Sequence, residues 1–78
     1  MNNEIRNGIS GCKDSLCEIR TALDAVLNKI GDGKTAVVES SPIDKEAYRL
    51  LYEMDCYVLG ALNCINGVIE NLEQALEV

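Results

Sequence analysis

The stretch Ile5–Ile30, IRNGISGCKDSLCEIRTALDAVLNKI, decides the fold. Within it Ile5, Ile9, Cys12, Leu16, Ile19, Leu23, Val26 and Ile30 recur at alternating gaps of four and three residues. That spacing keeps one face of an α-helix apolar over its whole length, a heptad seam that needs a second helix to cover it. The remaining composition agrees. Three Tyr are the only aromatic residues, with no Phe or Trp, so the apolar matter is aliphatic and suits helix-on-helix packing better than a sheet sandwich.

Outward from this seam, the first helix is predicted over residues 3–30. Its opening is soft, because Gly8, Ser10 and Gly11 are poor helix formers. Gly31 is placed to end it, since glycine tolerates the left-handed turn that closes many helices. Residues 31–41 are then expected to form a loop, with Ala36, Val37 and Val38 folding back over the seam. Ser41 is the expected N-cap of a second helix over residues 42–77, with Pro42 at its first position and Asp44 completing a capping box. On these bounds the second helix is the longer, ~50 Å against ~40 Å, and overhangs its partner by two turns. The 78 residues make one all-α domain, a hairpin of two antiparallel helices.

The second helix carries two stripes. Leu51, Val58, Leu62, Ile65, Ile69, Leu72 and Leu76 keep heptad spacing, with Asp55 at one seam position; beside them run Leu50, Met54, Tyr57, Ala61, Cys64 and Val68. One partner helix covers one narrow seam, so a face this broad implies self-association. The expected form is a dimer, an antiparallel four-helix bundle. Leu50, Met54, Tyr57, Val58, Ala61, Leu62, Ile65, Val68, Ile69 and Leu72 are its candidate interface residues.

Charge narrows the function classes. The net charge is −6, and all seven basic residues lie between Arg6 and Arg49. Direct nucleic-acid binding and an anionic membrane surface are disfavoured, because both need clustered cations. A basic protein partner is permitted. The longest uncharged run, from Cys56 to Ile69, is shorter than the roughly 18–20 residues that cross a bilayer, so no membrane span is expected. The opening Met-Asn-Asn-Glu lacks a basic-then-apolar leader, which makes a cytoplasmic location and reduced thiols the expectation.

Candidate chemistry is sparse. Gly31–Thr35, GDGKT, resembles the end of a phosphate-binding loop, but Asn28 stands where the motif requires an earlier glycine and a helix precedes it. With no histidine, neither a Ser-His-Asp nor a Cys-His constellation can form, and no catalytic residue is assigned. Cys12, Cys17, Cys56 and Cys64 lack zinc-finger spacing. A hairpin centred on the loop sets Cys17 level with Cys56 and Cys12 near Cys64, yet the two in each helix point in different directions. Free cysteines acting as small hydrophobes are expected, with no metal and no cofactor.

Asp55 on the seam could be an acid or base of raised pKa, a register-fixing polar group, or a residue at a solvated edge while Met54 takes the core position. The last is the expectation. Arg6, Lys13 and Arg20 lie one heptad apart and form a basic ridge, expected to pair with Glu53 and Glu70 across the hairpin. The sharper reading makes the same three residues a site for an anionic small molecule, such as a nucleotide. Gly8, Gly11, Gly60 and Gly67 should gather toward one end and allow close helix packing.

These readings point to a non-enzymatic interaction protein, an inhibitor or adaptor of the kind phages and mobile elements encode, by fold-level analogy. The alternative is an oligomer that sequesters an anion between its helices.

Overall fold

The computed structural model describes residues 1–78 as two helices, α1 over Asn3–Glu39 and α2 over Lys45–Leu76, folded into a hairpin 61 Å long and 15 × 13 Å across. It contains no strand, and no helix is long and apolar enough to cross a membrane. Asn2 caps α1, its side-chain oxygen accepting the Ile5 N–H at 2.9 Å.

The turn is shorter and later than the sequence suggests. α1 runs through Gly31 and Gly33, neither of which has a positive φ, and GDGKT is continuous helix. Tertiary contact overrides the glycine penalty of about 1 kcal/mol each. Ile30 is buried, Gly33 approaches the Leu51 side chain, and the Lys34 ammonium reaches Asp55 at 3.0 Å. The helix ends where Ser40 becomes extended and its N–H and hydroxyl both donate to the Val37 carbonyl, two residues before Pro42. Asp44, not Ser41, caps α2, accepting the Ala47 N–H at 3.0 Å. The loop of residues 31–41 is therefore corrected to residues 40–44, and α1 becomes the longer helix.

Gly31 supplies a direct check. A methyl group added there meets nothing within 4 Å. Gly31→Ala is expected to raise stability by about 1 kcal/mol in denaturant unfolding, as in a helix interior. A glycine at a left-handed helix end would respond with the opposite sign.

The core is one seam wide. On α2 it follows Leu51, Asp55, Val58, Leu62, Ile65, Ile69, Leu72 and Leu76, as read from the sequence, with Leu62 and Ile69 buried. On α1 only half of the expected seam is used. Ile9, Leu16, Leu23 and Ile30 face α2, but Ile5, Cys12, Ile19 and Val26 are exposed. Their places are taken by Arg6, Lys13, Arg20, Leu27 and Lys34, all part-covered. Ile30, Leu62 and Ile69 are the only buried residues in the molecule.

Candidate functional site

The later turn changes which residues meet. Lys13 approaches Glu73 at 3.9 Å and Arg20 Nη1 donates to Asn66 Oδ1 at 3.1 Å. This register sets Cys17 near the level of Ile69 and Cys56 near Ile30, so the expected neighbouring cysteines are far apart. All four thiols are free, and no group of three potential metal ligands converges. Gly60 lies near the middle of the hairpin rather than at its end. Gly8, Gly11, Gly60 and Gly67 touch nothing across the hairpin that a methyl group would meet, so close packing of α1 on α2 does not explain them.

The two flanks of the hairpin differ in chemistry. Along one, the basic ridge is drawn onto α2. Arg6 Nη1 donates to the Leu76 carbonyl at 2.8 Å, which ties the chain ends together. Lys13 and Arg20 meet Glu73 and Asn66, and Lys34 both binds Asp55 and lies 5.6 Å from the centre of the Tyr52 ring. The expected pairing of this ridge with Glu53 and Glu70 is corrected: Glu53 instead joins Glu46 in holding Arg49 within α2. That contact lowers the Glu46 pKa, first through its hydrogen bond to Arg49 and then through the guanidinium charge.

Asp55 takes the seam position and Met54 points outward, the reverse of the solvated-edge expectation. The Asp55 side chain is 25% exposed and Lys34 is its partner. The hydrogen bond to Asp55 raises the Lys34 pKa above 10.5, outweighing the effect of partial burial. A raised folded-state pKa means the contribution is fully present below 10.5 and is lost as pH rises through the higher value. Lys34→Met is accordingly expected to melt below wild type at neutral pH, and the gap to close in strongly alkaline buffer. Adding Asp55→Leu should restore the loss, because an apolar pair leaves no carboxylate unpaired in the seam. Thermal melts of the three proteins across pH check both statements.

The opposite flank is uncharged over most of its length, and Lys29 is the next α1 position of its row after Val26. It presents Ile5, Gly8, Cys12, Ser15, Ile19, Ala22 and Val26 from α1, beside Leu50, Met54, Tyr57, Ala61, Cys64 and Val68 from α2. Every one of these thirteen is exposed, Tyr57 by 78%. Both rows keep heptad spacing, so each is the second seam of its helix, left uncovered by the first. A shallow groove opens on this flank toward the chain ends, lined by Gly8, Gly11, Cys12, Ser15, Leu16, Val68 and Leu72.

The candidate interface residues thus divide. Leu62 and Ile69 are buried inside the hairpin, and Val58, Ile65 and Leu72 are part-covered in the same seam. Leu50, Met54, Tyr57, Ala61 and Val68 remain exposed on the uncharged flank. Sequence reasoning missed the α1 half of this surface, although its signal was the same heptad that revealed the helix. A second hollow, at the turn, is lined by Gly31, Lys34, Thr35, Val38, Glu39 and Tyr48, and its lysine is already engaged by Asp55. Comparison with protein-family models, curated proteins and solved structures returned no match.

Proposed function

We propose that this chain is a non-enzymatic interaction module, a helical hairpin that self-associates and offers its remaining surface to a protein partner as an inhibitor or adaptor. The uncharged flank carries the reading: two uncovered heptad rows run side by side along a rod whose own core holds three buried residues. Water against such a surface favours association. Once that flank is covered, the faces left to a partner carry unpaired carboxylates, with Tyr52 and Leu59 exposed on the charged side. Glu4, Asp14, Glu18 and Asp32 make no ion pair within the chain, which suits a basic protein surface.

The interaction reading is preferred to sequestration of an anion because Arg6 and Arg20 already donate to α2 and Lys13 already faces the Glu73 carboxylate at 3.9 Å. A native mass spectrum separates the two. A multiple of the 8.5 kDa chain at bare mass is expected, whereas added mass would favour the sequestered ligand and a monomer would remove self-association.

A further inference from the structure

We propose that the occupant of the uncharged flank is a second copy of this chain laid antiparallel, so that the turn of each hairpin lies over the chain ends of the other. The inference rests on the self-association proposed above and deepens it by naming the face and the sense of pairing.

Area argues for a second copy. The hairpin exposes 5601 Å². A folded monomer of 8.5 kDa exposes about 4,700 Å², from the usual scaling of surface with mass. The excess is about 900 Å², close to the ~800 Å² that each partner buries in a standard interface. Charge argues for the same occupant. The flank's one charge is Lys29, at the end of its α1 row, and no carboxylate lies on it. Copies laid antiparallel keep their two Lys29 about 25 Å apart at the helical rise, so like copies meet there without repulsion.

Shape selects the sense. The groove on the flank is floored by small residues, Gly8, Gly11 and Ser15, and centres near Cys12. The bulkiest exposed side chains of the flank, Tyr57 and Met54, lie toward the other end. In the register of the Lys13–Glu73 and Arg20–Asn66 contacts, Tyr57 stands level with Lys29. Groove and knob are therefore about 25 Å apart at the helical rise, and the point midway between them falls between Arg20 and Thr21. Thr21 is also the middle residue of Asn3–Glu39. A two-fold axis at that level seats Met54 and Tyr57 of each copy in the groove of the other and overlaps the rods along their full length. The reverse sense would set bulk against bulk at one end and groove against groove at the other, leaving voids that close-packed interfaces do not keep. The glycines then have a role, since a helix without side chains at Gly8 and Gly11 admits a neighbour closely.

Isotope-filtered NMR on a mixture of two wild-type preparations tests this, one carrying labelled methionine methyls and the other labelled amides. Cross-peaks from the Met54 methyl to the Gly8 and Gly11 amides of the other preparation are expected. Cross-peaks to the partner's Tyr57 region would overturn the antiparallel sense, and cross-peaks to residues of the charged flank would overturn the choice of face, both leaving self-association intact. A sample that sediments as a monomer under the same conditions would remove self-association itself, and with it this pairing.

Discussion

Leu62→Asp is expected to abolish the fold. Leu62 is one of three buried residues and sits in the middle of the α2 seam. Truncating a buried leucine costs about 2–5 kcal/mol on its own. The new carboxylate would also lie where only apolar neighbours occupy adjacent seam positions, Val58, Ile65 and Ile69. An unpaired buried charge adds several kcal/mol more, or is avoided only by opening the hairpin. Total stabilities of small domains are about 5–15 kcal/mol, so little remains. Far-UV circular dichroism should show the helical signal lost at room temperature. Leu59→Asp is the control: one turn earlier on the same helix and 47% exposed, it should stay helical. A helical Leu62→Asp protein would mean that the seam runs elsewhere.

Ile19→Glu is expected to leave the single hairpin nearly untouched and to dissociate the assembly. Ile19 is 48% exposed and lies on the uncharged flank close to its midpoint. At exposed positions of an isolated chain, substitutions usually move stability by no more than about 0.5 kcal/mol. Near a two-fold axis the same change places two carboxylates close together in a desolvated interface, and neither faces a cation at its own level. Size-exclusion chromatography with light scattering should show wild type at twice the chain mass and the variant at 8.5 kDa. If both proteins elute alike as dimers, the uncharged flank is not the interface.

How much was legible in the sequence differs between the helices. The α2 seam, Leu51 to Leu76, stands as the spacing predicts, because no competing stripe of comparable bulk flanks it on the charged side. The α1 seam was half legible. Leu16 and its heptad equivalents have two neighbouring rows, Ile5, Cys12, Ile19 and Val26 on one side and Arg6, Lys13, Arg20 and Lys34 on the other. Apolarity favours the first row, but the fold covers the second, since α2 offers Glu73, Asn66, Asp55 and the Leu76 carbonyl to its cations. A local pattern cannot state which of two adjacent rows its partner will choose.

The turn was misplaced for a related reason. Gly31 carries the local signature of a helix end, and the penalty for continuing through it is about 1 kcal/mol. Burial of Ile30 and the Lys34–Asp55 contact lie beyond the reach of local propensity and outweigh it. Displacing the turn shifted the whole register, which moved the cysteine levels, the partners of the basic ridge and the place of Gly60. The breadth of the apolar surface on α2 was legible, while its matching row on α1 emerged only with the register.

On the proposed reading, association adds substantially to the stability that the hairpin's one-residue-wide core supplies on its own. Thermal unfolding of the wild-type protein followed by circular dichroism over a hundredfold range of concentration tests that claim most directly. A melting temperature that rises steadily with concentration is predicted, because dilution favours the unfolded chains of any folded oligomer. A high melting temperature independent of concentration would contradict it, and would mean that the seam alone sustains the fold.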